Sequence, residues 1–256
     1  MPDAKVNGTE IYYESHGEGP AIVFAHGVGG NHAVWFQQVP YFARNRQVIT
    51  FDHRGFGRSR EIPEGPDRGD FVEDLHGLLD HLKVERAALV AQSMGGIACL
   101  GMAARYPERV SALVMADTVG AMNDEGVQAL TSNDREISDK LSQLDRAVSR
   151  GFQARDPNMC CLFLQLNSFN RTGRHLLRGG DYLGPTPEAV TESGVPTMFI
   201  VGQEDRVASP ETVRQAHELL PGSALAEVPD AAHSVYWEKP DVFNYLVEGF
   251  LMKHGV

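Results

Sequence analysis

Short apolar runs alternate with amphipathic stretches along most of the chain. Ala21-Ile22-Val23-Phe24-Ala25, Val48-Ile49-Thr50-Phe51, Ala87-Ala88-Leu89-Val90-Ala91, Ala112-Leu113-Val114-Met115-Ala116 and Thr197-Met198-Phe199-Ile200-Val201 are almost continuously apolar. Runs without polar alternation suit strands buried on both faces of a parallel sheet. Thr9 to Glu14 is rich in β-formers and follows Asn7-Gly8, a hairpin turn signal; Ala224 to Val228 precedes Pro229. The intervening stretches carry helical spacing. Trp35, Val39 and Phe42 recur at i, i+4, i+7, and Phe71, Leu75, Leu78, Leu79 and Leu82 form one stripe. Asp70 with Glu73 reads as a capping box at the start of that second helix. Strand–helix–strand repeats of this kind predict a doubly wound α/β sheet.

One stretch breaks the rhythm. Residues 121–194 carry no strand pattern, and a connection of that length is either structured or functional. Ile137, Leu141, Leu144 and Val148 predict one helix there, and Met159, Leu162, Phe163 and Leu166 another, with exit hinges at Gly179-Gly180 and Gly184-Pro185. The chain therefore divides into a core, 1–120 and 195–256, and a helical cap insertion, 121–194.

In an open parallel sheet, ligands bind beyond the carboxyl ends of the strands. Four of those ends carry unusual residues. Gln92-Ser93-Met94-Gly95-Gly96 lies between a strand and a helix, Ile97 to Tyr106. A sharp strand-to-helix corner strains its central residue and exposes that residue's hydroxyl beside free helical N–H groups. His26-Gly27-Val28-Gly29-Gly30 brings bare backbone to the same edge, so the Val28 and Met94 amides become candidate oxyanion donors. Gly202-Gln203-Glu204-Asp205 offers a carboxylate, and Asp230-Ala231-Ala232-His233 a histidine. Each signal is weak alone. The order Ser93, Asp205, His233 on successive strand ends is the order expected of a catalytic triad on such a sheet.

Composition narrows the partners. The chain has 256 residues, 42% hydrophobic, enough for a core that needs no metal or disulfide. A net charge of −11 disfavours nucleic acid and anionic membranes. No apolar segment follows Met1-Pro2-Asp3-Ala4-Lys5, and none reaches the roughly 18 residues of a membrane helix. Three cysteines, Cys99, Cys160 and Cys161, make no disulfide framework, so a reducing, cytoplasmic setting is expected. The expected partner is a small-molecule substrate, with the chain a monomer or homodimer. No metal-ligand spacing and no phosphate loop are present. No cluster of Arg or Lys stands out as an anion clamp, although Arg54, Arg171, Arg174 and Arg178 lie within reach of the expected pocket.

With these residues in view, the sequence resembles the α/β-hydrolase superfamily over almost its whole length. The resemblance rests on His26-Gly27 and its following glycines, Asp52-His53-Arg54-Gly55-Phe56-Gly57-Arg58-Ser59, Ser93-Met94-Gly95-Gly96, Asp205, and His233 followed by Glu238-Lys239-Pro240. It is most similar to cap-bearing esterases, enol-lactonases, cofactor-free haloperoxidases and C–C hydrolases. The resemblance implies an α/β-hydrolase fold: a mostly parallel eight-stranded sheet flanked by helices, with a cap over the pocket. It implies a Ser93–His233–Asp205 triad, two oxyanion donors and no cofactor, and it makes Asp52 to Ser59 a scaffold turn. Ala91 stands where the usual motif has glycine. Asp117 also ends a strand and is the alternative acid. Ser at 93 disfavours haloalkane dehalogenases and epoxide hydrolases, which use Asp there. The expected activity is hydrolysis of a carboxylic ester or lactone of a small, largely apolar substrate through an acyl-enzyme. The alternatives are C–C hydrolysis of a diketone-like substrate and a slow hydrolase-like ligand receptor. The pocket is expected to be lined by Gly27, Trp35, Gln92, Leu162, Phe163, Leu166 and Trp237. His233 must be neutral to act as a base, so activity should fall at acid pH.

Overall fold

A computed structural model describes residues 3–172 and 174–256, the side chain of Arg174 apart. The strands are β1 (Asp3–Val6), β2 (Thr9–His16), β3 (Ala21–Ala25), β4 (Gln47–Phe51), β5 (Ala87–Gln92), β6 (Val110–Ala116), β7 (Thr197–Gly202) and β8 (Ala224–Val228). They form one eight-stranded sheet in the order β1-β2-β4-β3-β5-β6-β7-β8. β2 pairs antiparallel with β1 and β4, and every other pair is parallel. Asn7 and Gly8 turn β1 into β2 with φ of +44° and +73°, the left-handed pair that a tight hairpin demands.

The helices are α1 (Val39–Phe42), α2 (Phe71–His81), α3 (Gly95–Arg105), α4 (Glu125–Ser138), α5 (Gln143–Ala147), α6 (Arg150–Arg155), α7 (Pro157–Ser168), α8 (Pro187–Glu192), α9 (Pro210–Glu218), α10 (Val235–Glu238) and α11 (Pro240–Lys253). Side chains alternate across a strand, and the core divides accordingly. Val23, Ala25, Leu89, Ala91, Leu113, Met115, Phe199 and Val201 face α2, α3 and α9. Ile22, Phe24, Ala88, Val90, Ala112, Val114 and Ile200 face Trp35, Trp237 and α11.

Local chemistry revises three expectations. The Trp35-to-Phe42 helix is a 3-10 turn, His32–Trp35, followed by the short α1, because Pro40 removes an amide that a continuous helix would need. Asp70 makes no cap bond; it lies in helical backbone, and its carboxylate accepts from Arg54 Nη1 at 2.5 Å. Asp67 caps the preceding turn instead, accepting from the Gly69 amide at 2.9 Å. The Ile137-to-Val148 periodicity does not give one helix. α4 ends at Ser138, Ser142 caps α5 by accepting from the Asp145 amide, and Ile137 is left exposed.

Between β6 and β7 the chain leaves and returns at one place. The Gly184 amide donates to Ala121 O at 2.8 Å and the Asn123 amide to Pro185 O at 3.0 Å. α4 to α7 lie between these points, and α8 packs back against α3.

Candidate active site

The strand order reverses around β3, which lies between β4 and β5. Such a switch point parts the loops on either side and opens a crevice. Ala25 and Ala91 pair across β3 and β5, so the loops after these strands begin side by side. Ala91 is fully buried, and at this strand end a methyl group is accommodated where the motif usually has no side chain.

Ser93 follows β5 with φ +50°, the strained left-handed region for a non-glycine residue. The corner holds because the Gly96 amide donates to Ser93 O at 2.9 Å while the Ser93 amide donates to Ala116 O at 3.1 Å. Ser93 Oγ lies 2.9 Å from His233 Nε2, and His233 Nδ1 lies 2.8 Å from Asp205 Oδ2. Asp205 Oδ1 accepts the Val207 and Ala208 amides at 2.7 and 3.1 Å, which fixes the carboxylate. The three residues come from the ends of β5, β7 and β8.

Asp117 does not approach His233 through a hydrogen bond of this kind. Its Oδ1 accepts the Gly202 amide at 3.1 Å and its Oδ2 the Val235 amide at 3.2 Å. It thereby ties the end of β6 to the end of β7 and to α10. Burial, with the neighbouring Asp205 charge, holds its carboxyl well above the usual carboxylate range.

The His26–Gly30 loop is pinned from below. His26 Nδ1 donates to Gly27 O at 2.8 Å, and its Nε2 accepts the His53 amide at 3.0 Å. Burial pushes the His26 imidazole down, towards its neutral form. The Gly30 amide also donates to Gly27 O, at 3.0 Å, which closes a turn below Val28. Among the described residues, no acceptor engages the Val28 or Met94 amide, and both residues line one cavity with Ser93 and His233. That cavity measures about 770 Å³, a size that suits a small molecule.

Of the expected pocket residues, Gln92 and Phe163 line the cavity. Gln92 Nε2 donates to His233 O at 2.7 Å, so this side chain also holds the histidine loop. Gly27 lies beneath the lining, and a Cβ there would meet Gln92 Oε1 at 2.2 Å. Contrary to expectation, Trp35, Trp237, Leu162 and Leu166 do not line the cavity. Trp35 is fully buried against Phe24 and Tyr236, at ring separations of 5.0 and 4.6 Å, and Trp237 packs on Phe36 and Phe163. Leu162 is exposed on the outer face of α7, and Leu166 packs against the Trp35 cluster. Helical spacing explains the difference, because Phe163 and Asn167 share the inward face of α7.

Three further residues, Asn170, Asn31 and Glu238, make contacts whose partners the sequence does not show. Asn170 Nδ2 donates to Gly29 O at 2.5 Å, and its Oδ1 accepts the Gly57 amide at 2.8 Å. Asn31 Nδ2 donates to Leu166 O at 3.0 Å. Glu238 accepts the Ala232 amide, next to His233, at 2.7 Å, and Ser149 Oγ at 2.6 Å. The arginines divide. Arg54 is held by Asp70 and Asp74, and Arg178 by Gly65 O, whereas Arg171 lines the cavity; the Arg174 side chain lies outside the described residues.

A model of the alpha/beta hydrolase fold family matches residues 20–240. The chain is 29% identical over 249 residues to 3-oxoadipate enol-lactonase 2 of Acinetobacter baylyi, covering 91% of this chain and 89% of that protein. It is 29% identical over 270 residues to 2-hydroxy-6-oxo-2,4-heptadienoate hydrolase of Pseudomonas putida, covering 95% and 93%. Among solved structures, Est816, described as an N-acyl homoserine lactone degrading enzyme, matches at TM-score 0.81 and 29% identity over 97% of this chain and 100% of its own. The chain therefore belongs to the α/β-hydrolase family and is a hydrolase of that fold.

Proposed function

We propose that this chain is a serine hydrolase that cleaves a carboxylic ester or lactone through an acyl-enzyme. One observation carries the reading. A serine at φ +50° lies 2.9 Å from an imidazole that is in turn 2.8 Å from a carboxylate, beside two unengaged amides at the wall of a cavity.

In this reading His233 Nε2 takes the Ser93 proton as Oγ attacks the carbonyl carbon. Asp205 keeps the other proton on Nδ1 and stabilises the imidazolium. The Val28 and Met94 amides bind the oxyanion, each donor contributing about 3 kcal/mol. His233 returns its proton to the leaving oxygen. Water, activated by the same imidazole, then cleaves the acyl-enzyme and frees Ser93. The helices within 121–194 act as a cap over the cavity. Ile97, Met122 and Phe163 offer apolar wall to the acyl group. The activities of the Acinetobacter relative and of Est816 support the lactone half of the proposal. A second reading, C–C hydrolysis of a diketone-like substrate at the same triad, is favoured by the name of the Pseudomonas relative.

Fluorophosphonate labelling followed by peptide mass spectrometry tests the nucleophile. The expected label is on Ser93 and requires His233; a label elsewhere, or one indifferent to His233→Ala, overturns the assignment. An ester and lactone panel run beside a vinylogous diketone separates the two reactions.

A further inference from the structure

We infer that the substrate carries an anionic group, a carboxylate in its simplest form, received by Arg135 and Arg146 at the outer part of the cavity. The inference rests on the ester or lactone reading above and adds the substrate's charge to it.

Four arginines from separate segments line the cavity: Arg68, Arg135, Arg146 and Arg171. Asp117 is the only lining carboxylate among the described residues, and both its oxygens are engaged by backbone amides. The chain as a whole has 34 acidic and 23 basic residues, so a cationic wall runs against its composition. A wall of one sign raises the local concentration of ligands of the opposite sign.

Two of the four are engaged elsewhere. Arg171 pairs with Glu61 at 2.8 Å, and Arg68 Nη1 donates to Arg178 O at 2.9 Å. Arg135 and Arg146 differ. Among the described residues, no ion pair joins either one to a carboxylate. Arg146 makes one long hydrogen bond, from Nη1 to Leu141 O at 3.3 Å. The two lie on either side of one corner. The Asp139 amide donates to Arg135 O and the Leu141 amide to Ser138 O, folding the end of α4 towards α5.

The wall they occupy is graded. Val127, Gln128, Thr131, Ser132 and Arg135 of α4 all face the cavity. Val127 is buried in the core cluster that contains Met94, Ile97 and Met122, whereas Arg135 is exposed. At 1.5 Å rise per residue the wall changes from apolar to cationic over about 12 Å. A molecule that fits such a wall has an apolar middle and an anionic far end. Solvated arginines at a rim are common, but these two combine a shared cavity, no carboxylate partner and a polarity gradient that leads away from the nucleophile's apolar neighbours. A guanidinium also presents paired N–H groups that match a carboxylate.

The test compares mono-4-nitrophenyl esters of the dicarboxylic acids from glutarate to sebacate with neutral 4-nitrophenyl esters of equal chain length. At low ionic strength, at least one acid ester should show a KM about tenfold below its neutral counterpart, the factor that 1.4 kcal/mol represents. The readout is the ratio within one enzyme, so a general loss of folded protein cancels. In the Arg135→Gln/Arg146→Gln double variant the ratio should approach one, and in Arg135→Glu it should invert. Neutral esters equal to or better than every acid ester in the unaltered protein, or a ratio that survives the double variant, overturns the inference. If no ester is turned over, or turnover survives Ser93→Ala, the hydrolase reading fails instead. Calorimetry with sebacate then decides the arginine site alone: binding lost in the double variant supports it, and no binding overturns it.

Discussion

Acidification should destabilise this protein through one buried ring. His53 is fully buried, and neither Nδ1 nor Nε2 has a hydrogen-bond partner among the described residues. It lies among Phe51, Phe71 and His26, at ring separations of 4.7, 5.0 and 4.7 Å. Burial, with His26 beside it, holds its imidazole well below the usual histidine range. A histidine whose folded pKa is depressed binds fewer protons folded than unfolded. Its contribution is therefore intact above the unfolded value of about 6.5 and is lost as pH falls below it. Well below that value each pH unit is worth about 1.36 kcal/mol while the folded ring stays neutral, so moving from about pH 7.5 to pH 5 removes about 2 kcal/mol. That is a substantial part of a typical folding stability of about 5–15 kcal/mol.

Asp74, Asp117 and Glu238 act in the opposite sense. Burial raises each carboxyl, so folded protein binds their protons first and gains stability as pH falls. The His53 contribution must therefore be read as a difference. His53→Phe keeps an aromatic ring in an aromatic box and keeps the backbone amide that donates to His26. Urea unfolding followed by tryptophan fluorescence suits the measurement, because Trp35 and Trp237 are both buried. At about pH 7.5 the variant should lie within about 1.5 kcal/mol of the unaltered protein. Between there and about pH 5 it should gain about 2 kcal/mol on it, or about 0.7 M in urea midpoint for an m-value near 3 kcal/mol/M. A stability difference that stays flat across this range refutes the argument.

Four other outcomes are expected. Asp205→Asn should lower kcat by about four orders of magnitude, because the imidazole loses its orienting carboxylate. Asp117→Asn should instead cost about 1–3 kcal/mol in unfolding experiments, by removing an acceptor from the Gly202 or Val235 amide; a kcat collapse confined to Asp117→Asn reverses the two roles. Gly95→Ala should lower Tm by about 6 °C or more, since its Cβ would lie 2.3 Å from Ala25 O, an overpacking of about 3 kcal/mol; an unchanged melting curve contradicts that packing. Asn170→Ala releases Gly29 O and the Gly57 amide and should lower kcat about tenfold with KM little altered, measured on a neutral ester; an effect on KM alone makes Asn170 a binding contact.

Much of the core is legible because burial on both faces writes itself as continuous apolar runs, as in β3, β5 and β7. β1 is not legible. At a sheet edge its alternation of exposed and buried residues spans only Asp3 to Val6. The juxtaposition of Ser93, His233 and Asp205 follows from strand-end position and chain order, which topology turns into proximity. Direction within an element is harder to read. Trp35 and Trp237 stand beside the motifs in sequence, but the sheet face on which they pack is decided by tertiary contacts. Arg171 is within reach of the pocket on the sequence alone, but Arg68, Arg135 and Arg146 are hidden for the same reason, since separate segments must fold before those charges share a cavity.

The contacts made by the 121–194 segment bear on how selectivity and chemistry are linked. Asn170 holds Gly29 O beside the Val28 amide, and Asn31 reaches back to Leu166 O in α7. On the opposite side, Glu238 bridges Ser149 to the Ala232 amide, one residue before His233. The segment is thus bonded both to the loop of the proposed oxyanion donors and to the His233 loop. A substrate that shifts that segment changes both loops together. If the proposed anion site and triad are correct, such a site should discriminate in kcat as well as in KM, because binding energy gained at Arg135 and Arg146 would act on the geometry at Ser93.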